Sequence, residues 1–401
     1  MPPSISVISP EMLSFLRATA RAILDSCSVP PGGKCGDSTN TLGFRAVTPG
    51  GYPSVWVQDF TMNFSSGLLS RDVGINHLRL ILQSQNGSEA KELGSNVIVP
   101  PHAIPDHINL NGAPVYFPGT YDPEANQSGK WGFRPPINNY YDVIWLTHML
   151  ARSGDVKALL NETVNGKTVY ERLRLAFSVP EIDSKTELVH TTDERRAVGF
   201  IFCDSIYMTG DLLMASLLRQ RAAEHMAFFA ESMGRDSDAV TYSALAERIA
   251  QSILQVFGDD GCHGGWMKAT TGVSGQPDVW ASIYAVYRGI VKGEAKTRLL
   301  QTIVSSLEKQ GEIEFQGALR HLPISFDASE KSAWERSVTP KNRYQNGAYW
   351  HTPTGWLIAV LQEKYPDHAK GIRDRWIQHL KAEQGRVWEC IGWDGTGNQN
   401  P

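Results

Sequence analysis

The sequence predicts an all-α fold in which hairpins of helices close into a toroid. Apolar residues recur at helical spacing along most of the chain and mark about ten to twelve helices. Short turns alternate with long connections rich in Gly, Pro and aromatic residues, as in hairpins whose loops gather at one face. No repeat of fixed period is present, which excludes a simple repeat array. With 401 residues, 41% of them hydrophobic, the chain can bury one large core, and we predict a single domain over 1–401.

The predicted helices follow from this periodicity and from their end signals. In the first half of the chain they cover 11–26, 73–83, 140–153 and 169–177, and a further helix begins near Asp59. In the second half they cover 206–233, 237–257, 279–291, 296–307, 347–364 and 367–381. The run GRDSD ends one helix and supplies an N-cap for the next, and Tyr365-Pro366 separates the last two helices.

Four long connections lie between these helices, at 28–57, 100–139, 259–277 and 311–343. Long irregular segments in a compact domain are usually functional or disordered. These four are rich in aromatic side chains, which favours function. The part from 100 to 121 also has the composition of short strands, which we expect on the same face as the functional loops.

Composition excludes several classes of partner. The formal net charge is −4 and no run of Lys or Arg stands out, so we predict no nucleic-acid partner. No apolar stretch has the length of a membrane span. No glycine-rich phosphate loop and no His/Cys ligand spacing occur, so we predict neither a cofactor nor a metal. The 11 Trp and 13 Tyr are typical of carbohydrate clefts as well as of cores.

The N-terminus lacks a basic region followed by an apolar run, so a cytoplasmic location is the default prediction. A mature secreted form stays open, because four Asn-x-Ser/Thr sequons are present. The five cysteines are scattered without a CxxC pair, which indicates no disulfide framework, although a Cys27–Cys35 bridge is conceivable. The oligomeric state is left open.

Two segments combine a carboxylate with apolar or aromatic neighbours. In VWVQDF, Trp56 offers a flat apolar face and Asp59 a charged acceptor for a pair of hydroxyls, while the same pattern fits Asp59 as a helix N-cap. In VGFIFCDSIYMTGDLLMASLL, Asp204 follows four residues that include Phe200 and Phe202. Apolar surroundings raise the pKa of a carboxyl group, which suits a proton donor. The pattern alone favours Asp204 as an N-cap of the next helix, with Asp211 in its first turn.

Two further carboxylate segments follow in the second half. In QPDVWASIYAVYRG, Asp278 is expected to cap the helix at 279–291, with Trp280 packed in the core or facing a ligand. In GRVWECIGWDGTGNQNP, Glu389 and Asp394 lie among aromatic residues near the end of the sequence.

The segment YQNGAYWHTPTGWLIAVL is the most specific of the set. Asn346 can donate to and accept from one hydroxyl group, and Gly347 permits close approach of the backbone. Trp350 and His351 are then expected at the wall of a pocket. Core packing explains Trp356, but it accounts poorly for the dense mixture of polar and aromatic residues before it.

Taken together, these segments resemble the six-hairpin (α/α)6-barrel glycoside hydrolases. That group includes trehalases, glucoamylases, processing α-glucosidases and mannosylglycerate hydrolases. The likeness covers most of the chain through short motifs. It implies an (α/α)6 toroid that acts as a catalytic domain on a carbohydrate substrate. Since most of the resembled families invert, it also implies an inverting mechanism, and a blind pocket would give exo action on a short oligosaccharide or small glycoside.

The resemblance also implies roles for individual residues. Asp204 corresponds to the general acid and Glu389 to the general base, with Asp394 as the nearest rival of Glu389. The substrate-binding residues implied are Trp56, Asp59, Asn346, Trp350, His351, Trp280 and Arg320. Arg320 and Arg134 are alternatively partners for carboxylates of the site or of an acidic substrate, or ordinary surface residues.

Three other functions fit parts of the sequence. A sugar 2-epimerase on the same barrel would use His residues as proton carriers, here from among His263, His321 and His351. A polysaccharide lyase would combine Tyr344, Asn346 and His351 around a uronate. A non-catalytic carbohydrate-binding protein would keep the fold without the chemistry.

Overall fold

A computed structural model of the protein describes residues 8–29, 43–44, 54–258, 263–392, 394–395 and 397–398. Cys35, and with it the conceivable bridge to Cys27, lies outside these ranges. Parts of the predicted long connections at 28–57 and 259–277 also lie outside them.

The described ranges contain twelve α-helices. They are α1 (Pro10–Ser26), α2 (Val57–Phe64), α3 (Arg71–Gln83), α4 (Asn138–Arg152), α5 (Val156–Asn161), α6 (Val169–Phe177), α7 (Leu213–Ser232), α8 (Asp236–Phe257), α9 (Val279–Tyr287), α10 (Gly293–Leu307), α11 (Thr354–Leu361) and α12 (Pro366–Ala382). Within these ranges, no helix combines the length and apolar composition that crossing a bilayer requires.

The strands are short, with two to four residues each. They are β1 (Ser28–Val29), β2 (Gly43–Phe44), β3 (Ser54–Trp56), β4 (Lys91–Gly94), β5 (Val97–Val99), β6 (His107–Asn109), β7 (Pro114–Val115), β8 (Thr163–Val164), β9 (Lys167–Thr168), β10 (His190–Thr191), β11 (Gly210–Asp211), β12 (Glu314–Phe315), β13 (Ala318–Leu319), β14 (Cys390–Ile391) and β15 (Gly397–Asn398). β3, β6 and β7 form a three-stranded sheet, and the strands expected between 100 and 121 are therefore present.

Most predicted helices occur where the periodicity places them, but two begin later than predicted. α7 begins at Leu213 and not at 206, because Ile206 pairs in extended form with Ser337 and the Tyr207 N–H donates to the Arg336 carbonyl. The alternatives of Asp204 as a helix N-cap and Asp211 as a first-turn carboxylate are therefore wrong.

The helix predicted at 347–364 is shortened for the same reason. Tyr349 and Trp350 are paired in extended form with Ile391 and Leu319, and α11 begins only after Pro353. The short helix α5 was not predicted, because its single apolar cluster is too brief to show a periodicity.

The chain divides into two compact units. The N-terminal unit consists of Arg21–Asp204 and Met214–Ser252, and α4 is its central helix, packed against α2, α3 and α6. The first two turns of α4 are entirely buried although they include Asn138, Asn139 and Asp142. Buried polar side chains of this kind require partners inside the protein.

The C-terminal unit consists of Met1–Ala20, Ser205–Leu213 and Ile253–Pro401. Here α11 packs against α9 and α12, and all but the last residue of α9 is buried. Asp278 caps α9 as predicted, since its carboxylate accepts a hydrogen bond from the Ala281 N–H at 2.9 Å.

The Asp278 cap is buried, which makes it sensitive to pH. Burial raises the pKa of Asp278 from 3.8 to about 7, against the backbone hydrogen bonds that favour the charged form. The folded state thus binds this proton more tightly, so the stabilisation from protonated Asp278 is complete below pH 4 and is lost as pH rises through 7.

We therefore expect Asp278→Asn, which keeps an acceptor at the cap, to match the wild type near pH 4. It should be more stable at pH 8, by on the order of 4 kcal/mol. Chemical denaturation at pH 4, 6 and 8 measures this difference. The matched control is Asp155→Asn at the exposed cap of α5, where no such trend is expected. An equal loss of stability at every pH would contradict the assignment.

Candidate functional site

A cross-strand aromatic pair forms the base of a candidate site in the N-terminal unit. β3 runs antiparallel to β6, and the register places Trp56 directly opposite His107. The two rings stack with centroids 4.0 Å apart and planes inclined by 29°. The Val57 N–H donates to the Asp106 carbonyl at 3.1 Å, so the pairing continues into the start of α2. The sheet thereby fixes an indole and an imidazole at the N-terminus of a helix.

His107 and Asp106 form a buried dyad. The His107 Nδ1 lies 2.8 Å from Asp106 Oδ2, and the exposed fraction is 0% for His107 and 7% for Asp106. Because a carboxylate only accepts, Nδ1 carries a proton, and in the Nδ1–H tautomer Nε2 is an acceptor. The Tyr121 ring packs edge-on against both His107 and Trp56, at 5.6 and 6.4 Å. Its backbone carbonyl is held by the Asn109 side chain at 2.7 Å.

A glycine allows the loop that carries Tyr121 to pack closely. Gly119 has φ +71°, and a Cβ atom at this position would overlap the Trp131 indole. The left-handed backbone and the missing side chain are both needed here, because no other residue meets the two conditions without strain. Gly119 thus lets the part of the loop next to Tyr121 pack directly against Trp131.

An amide network extends the dyad to the start of α4. The Asn139 side chain donates to Asp106 Oδ1 at 3.3 Å, and the Asn138 Nδ2 donates to Asn139 Oδ1 at 3.0 Å. Asn138 Nδ2 also donates to Gln58 Oε1 at 2.8 Å. Since Gln58 is in the first turn of α2, the network joins the N-termini of two helices, where partial positive charge favours electron-rich groups.

A buried ion pair lies one turn further along α4. The Asp142 carboxylate accepts from Asn138 at 3.2 Å and from Arg221 at 3.3 Å, and the Arg221 guanidinium lies over the Trp145 ring at 4.1 Å. Burial raises the pKa of Asp142 to about 6, although the Arg221 cation opposes the shift. This ion pair holds Asn138, and through it the amide network, in place.

Asp59 lies in the first turn of α2, but it is not the N-cap. Trp56 occupies the N-cap position, so the capping alternative for Asp59 is wrong. The Asp59 side chain is half-buried, as is that of Trp56. The dipole of α2 favours a carboxylate at this position.

Asp204 is presented by a strained turn. Ile201 and Phe202 have φ of +57° and +53°, a region that β-branched and bulky residues rarely occupy. A Cβ atom on Gly199 would lie 3.0 Å from Asp204 Oδ1 and 2.6 Å from the Pro136 side chain. The Asp204 carboxylate and Pro136 thus approach the same glycine. Pro136 leads directly into α4, so the turn packs beside the start of the amide network.

A ladder of extended segments brings together the predicted residues of the C-terminal unit. Tyr349 and Ile391 exchange backbone hydrogen bonds of 2.9 and 2.7 Å, and Leu319 and Trp350 exchange bonds of 2.8 and 2.9 Å. Glu389 immediately precedes β14 and is half-buried. The ladder thus places Glu389 close in space to the segment that carries Trp350, 39 positions earlier in the sequence.

The two predicted tryptophans of this unit are buried. The Trp280 Nε1–H donates to the Leu319 carbonyl and the Trp350 Nε1–H to the Tyr344 carbonyl, both at 3.3 Å, and each residue is at most 1% exposed. They support the ladder from within. Neither presents an open face to a ligand in this structure.

Both predicted arginines have partners inside the protein. Arg320 is 1% exposed and binds the Gly347 carbonyl at 2.8 Å and the Asp327 carboxylate at 3.0 Å. Arg320 thus pairs with the carboxylate of Asp327, inside the protein. The half-buried Arg134 donates to the backbone carbonyls of Asn96 and Phe133 at 2.9 and 2.8 Å.

His351 is held in the neutral form. Its Nε2 lies 3.3 Å from the Gln316 carbonyl and its ring stacks on His379 at 5.3 Å. Burial lowers the pKa of His351 to about 4. The ring is therefore uncharged at neutral pH and a weak base.

Asn346 organises its own loop. Its Oδ1 accepts from the N–H groups of Ala333 and Trp334 at 2.9 and 3.2 Å, and its Nδ2 donates to the Thr339 carbonyl at 2.7 Å. With 1% exposure, the amide has donors and acceptors engaged inside the protein. These contacts favour a structural role over the predicted contact with a sugar.

Sequence reasoning missed the dyad and the amide network. The signals are present as adjacent Asp-His in the strand segment PDHIN and as Asn-Asn just before a helix in PPINNYY. Asp106 immediately precedes β6 and His107 begins it, so the bond between their side chains depends on the local bend of the backbone and cannot be predicted from the sequence pattern.

The contacts of Asn346 give a direct test. We expect Asn346→Ala to lower the free energy of unfolding by roughly 2–4 kcal/mol, because buried backbone N–H groups lose their acceptor. Urea denaturation measures the change. Asn161→Ala, at the exposed end of α5, is the control and should change stability by about 0.5 kcal/mol or less. Unchanged stability together with lost sugar binding would restore the predicted binding role.

Comparison with known proteins shows the fold. No family model and no curated protein matches the chain. Among solved structures, the GH63 mannosylglycerate hydrolase from Thermus thermophilus, in complex with glucose, has a TM-score of 0.56 at 13% identity, with 96% of this chain and 95% of that chain covered. The GH78 rhamnosidase of Bacillus sp. GL1 has a TM-score of 0.55 at 12% identity, and the match covers 96% of this chain but only 31% of the rhamnosidase.

A neighbour of another enzyme class has the same fold. The cellobiose 2-epimerase from Spirochaeta thermophila has a TM-score of 0.53 at 10% identity, with 100% of this chain and 93% of that chain covered. Identities this low establish the fold and no more. The predicted predominantly α-helical (α/α)6-barrel fold is thereby confirmed.

Proposed function

We propose that this protein is a glycoside hydrolase in which Asp204 is the general acid and Glu389 the general base. The observation that carries the proposal is the strained turn that presents Asp204. Two consecutive non-glycine residues, Ile201 and Phe202, adopt left-handed backbone conformations immediately before it. Strain of this kind costs about 1–3 kcal/mol per residue, and it clusters at functional sites. A capping role does not explain it, since no helix begins there.

The surroundings of Asp204 support a proton donor. Phe200, Ile201 and Cys203 are all buried beside it. An apolar environment disfavours a charged carboxylate. A general acid of a glycoside hydrolase must hold a proton before it can pass that proton to the leaving oxygen.

The substrate-binding side is proposed at the β3–α2 junction. Trp56 would pack against the C–H face of a terminal sugar, and Asp59, in the first turn of α2, would accept hydrogen bonds from two hydroxyl groups. The glucose complex of the GH63 neighbour favours a hexose as that sugar. The long loops favour exo action on a short oligosaccharide or small glycoside.

Inversion is the proposed stereochemical course. Glu389 would remove a proton from a water molecule that attacks the anomeric carbon, while Asp204 protonates the leaving oxygen on the other side. Inverting glycosidases in general hold their two carboxyl groups roughly 6.5–9.5 Å apart. We propose a single catalytic domain over 1–401.

We expect Asp204→Asn and Glu389→Gln each to lower kcat by about 10²–10⁴-fold without loss of folding, because each removes one proton transfer. The rate is measured as release of the aryl alcohol from aryl α- and β-glucosides, mannosides and rhamnosides. Proton NMR identifies the sugar anomer that forms first, and this anomer shows whether the enzyme inverts. Asp193→Asn is the matched control on an exposed carboxylate, and Asp394→Asn tests the rival base. Near-normal activity of Asp204→Asn or Glu389→Gln would remove that residue from its role. Loss of activity in Asp394→Asn alone would transfer the base to Asp394.

Sugar 2-epimerisation is the second candidate, favoured by the cellobiose 2-epimerase neighbour. Its chemistry needs a histidine that is basic near neutral pH. His351 has its pKa lowered to about 4, so it is poorly suited to this task. Cellobiose incubated with the protein in D₂O should therefore show no exchange of deuterium at C2. Exchange without cleavage, followed by NMR, would establish the epimerase and overturn the hydrolase.

A further inference from the structure

We propose that His107 is a ligand-binding residue whose Nε2 atom accepts a hydrogen bond from a hydroxyl group of a bound sugar. This inference rests on the proposed function only in taking the ligand to be a carbohydrate. It adds a residue that neither the hydrolase motifs nor the proton transfers use, and it assigns a purpose to the buried dyad with Asp106.

The Nε2 atom of His107 is buried, and it has no hydrogen-bond partner among the residues that the structure describes. The whole residue is 0% exposed. Buried polar atoms without partners are rare in native proteins, because each loses the hydrogen bonds that water supplies in the unfolded chain. A buried acceptor without a protein partner is explained directly if a donor group of a bound ligand completes its hydrogen bond.

The dyad determines what Nε2 can bind. Asp106 accepts from Nδ1 at 2.8 Å and is itself held by Asn139 at 3.3 Å, so the ring has a fixed orientation and tautomer. Nε2 therefore presents a lone pair. It requires an O–H or N–H donor.

A second acceptor in the same network has the same requirement. Asn138 Oδ1 is also buried without a partner among the described residues, while its Nδ2 donates to Gln58, Asn139 and Asp142. These three acceptors fix the orientation of the amide. Two unsatisfied acceptors select a ligand rich in donors. A phosphate or carboxylate offers only acceptors and is disfavoured, whereas a neutral sugar offers several hydroxyl groups.

Tyr121 controls the approach to this position. Its ring packs edge-on against both His107 and Trp56, and it is the exposed member of the cluster, at 42%. Its backbone is anchored by Asn109, so its side chain can rotate without displacement of the loop. We expect rotation of the Tyr121 side chain to give a hydroxyl group access to Nε2.

Two substitutions of His107 separate binding from packing. In His107→Asn the side-chain amide can still donate to Asp106, but nothing replaces Nε2. In His107→Gln an amide group reaches the Nε2 position, and the contact with Asp106 is lost. A ligand-binding role predicts that the Asn variant binds at least about tenfold more weakly and that the Gln variant keeps most of the affinity. A purely structural role predicts the reverse order in Tm, with the Gln variant, which loses the contact with Asp106, less stable than the Asn variant.

The probes are D-glucose, D-mannose and L-rhamnose, with Kd measured by calorimetry on the full chain. His77→Asn and His77→Gln are matched controls, since His77 is also buried, stacked on Phe60 at 3.6 Å and bonded through Nδ1 to the Val73 carbonyl at 2.9 Å. They should lower Tm and leave Kd within about twofold of the wild type.

Wild-type affinity in a folded His107→Asn variant would overturn the proposal, as would the absence of binding of all three sugars to the wild type. If neither His107 variant folds, the ¹⁵N shift of Nε2 in the wild type decides, because it must move on saturation with a sugar. Binding is measured without turnover. An inactive protein that binds sugar through His107 would therefore refute the hydrolase and support this inference.

Discussion

The pairing of β3 with β6 is the constraint on which the site of the N-terminal unit depends. Its register places Trp56 against His107 and carries the chain straight into α2, which positions Gln58 and Asp59 in the first turn. A slip of one residue in the pairing would turn Trp56 to the opposite face of the strand. A contact of only three residue pairs thus determines which side chains meet at the start of the helix.

The amide network explains why buried polar groups persist beside this sheet. Replacing a buried ion pair by well-packed apolar residues is often neutral or stabilising, so stability alone does not account for buried polar groups of this kind. The cluster instead specifies one arrangement, because each amide has both a donor and an acceptor to place. The Asp142–Arg221 pair holds the network on one side, and the sheet holds it on the other.

Local signals predicted most helices, and distant contacts determined where the prediction failed. α6 lies where it was expected, because Thr168 and Glu171 form a capping box next to apolar residues at helical spacing. The start of α7 could not be read locally, since Ile206 pairs with Ser337, far away in the sequence. The candidate site also combines residues with a local signal and residues without one. Trp56 and Asp59 were recognisable in a motif, whereas the place of His107 in the candidate site depends on its burial and on the pairing of β6 with β3.

The contact between Gly119 and Trp131 has a consequence for how this protein can diverge or be redesigned. The indole occupies the space of a missing side chain, so the two positions can change only together. A related protein with a side chain at position 119 is therefore expected to carry a smaller residue at position 131. A graft of this loop into another chain would have to transfer Gly119 and Trp131 together.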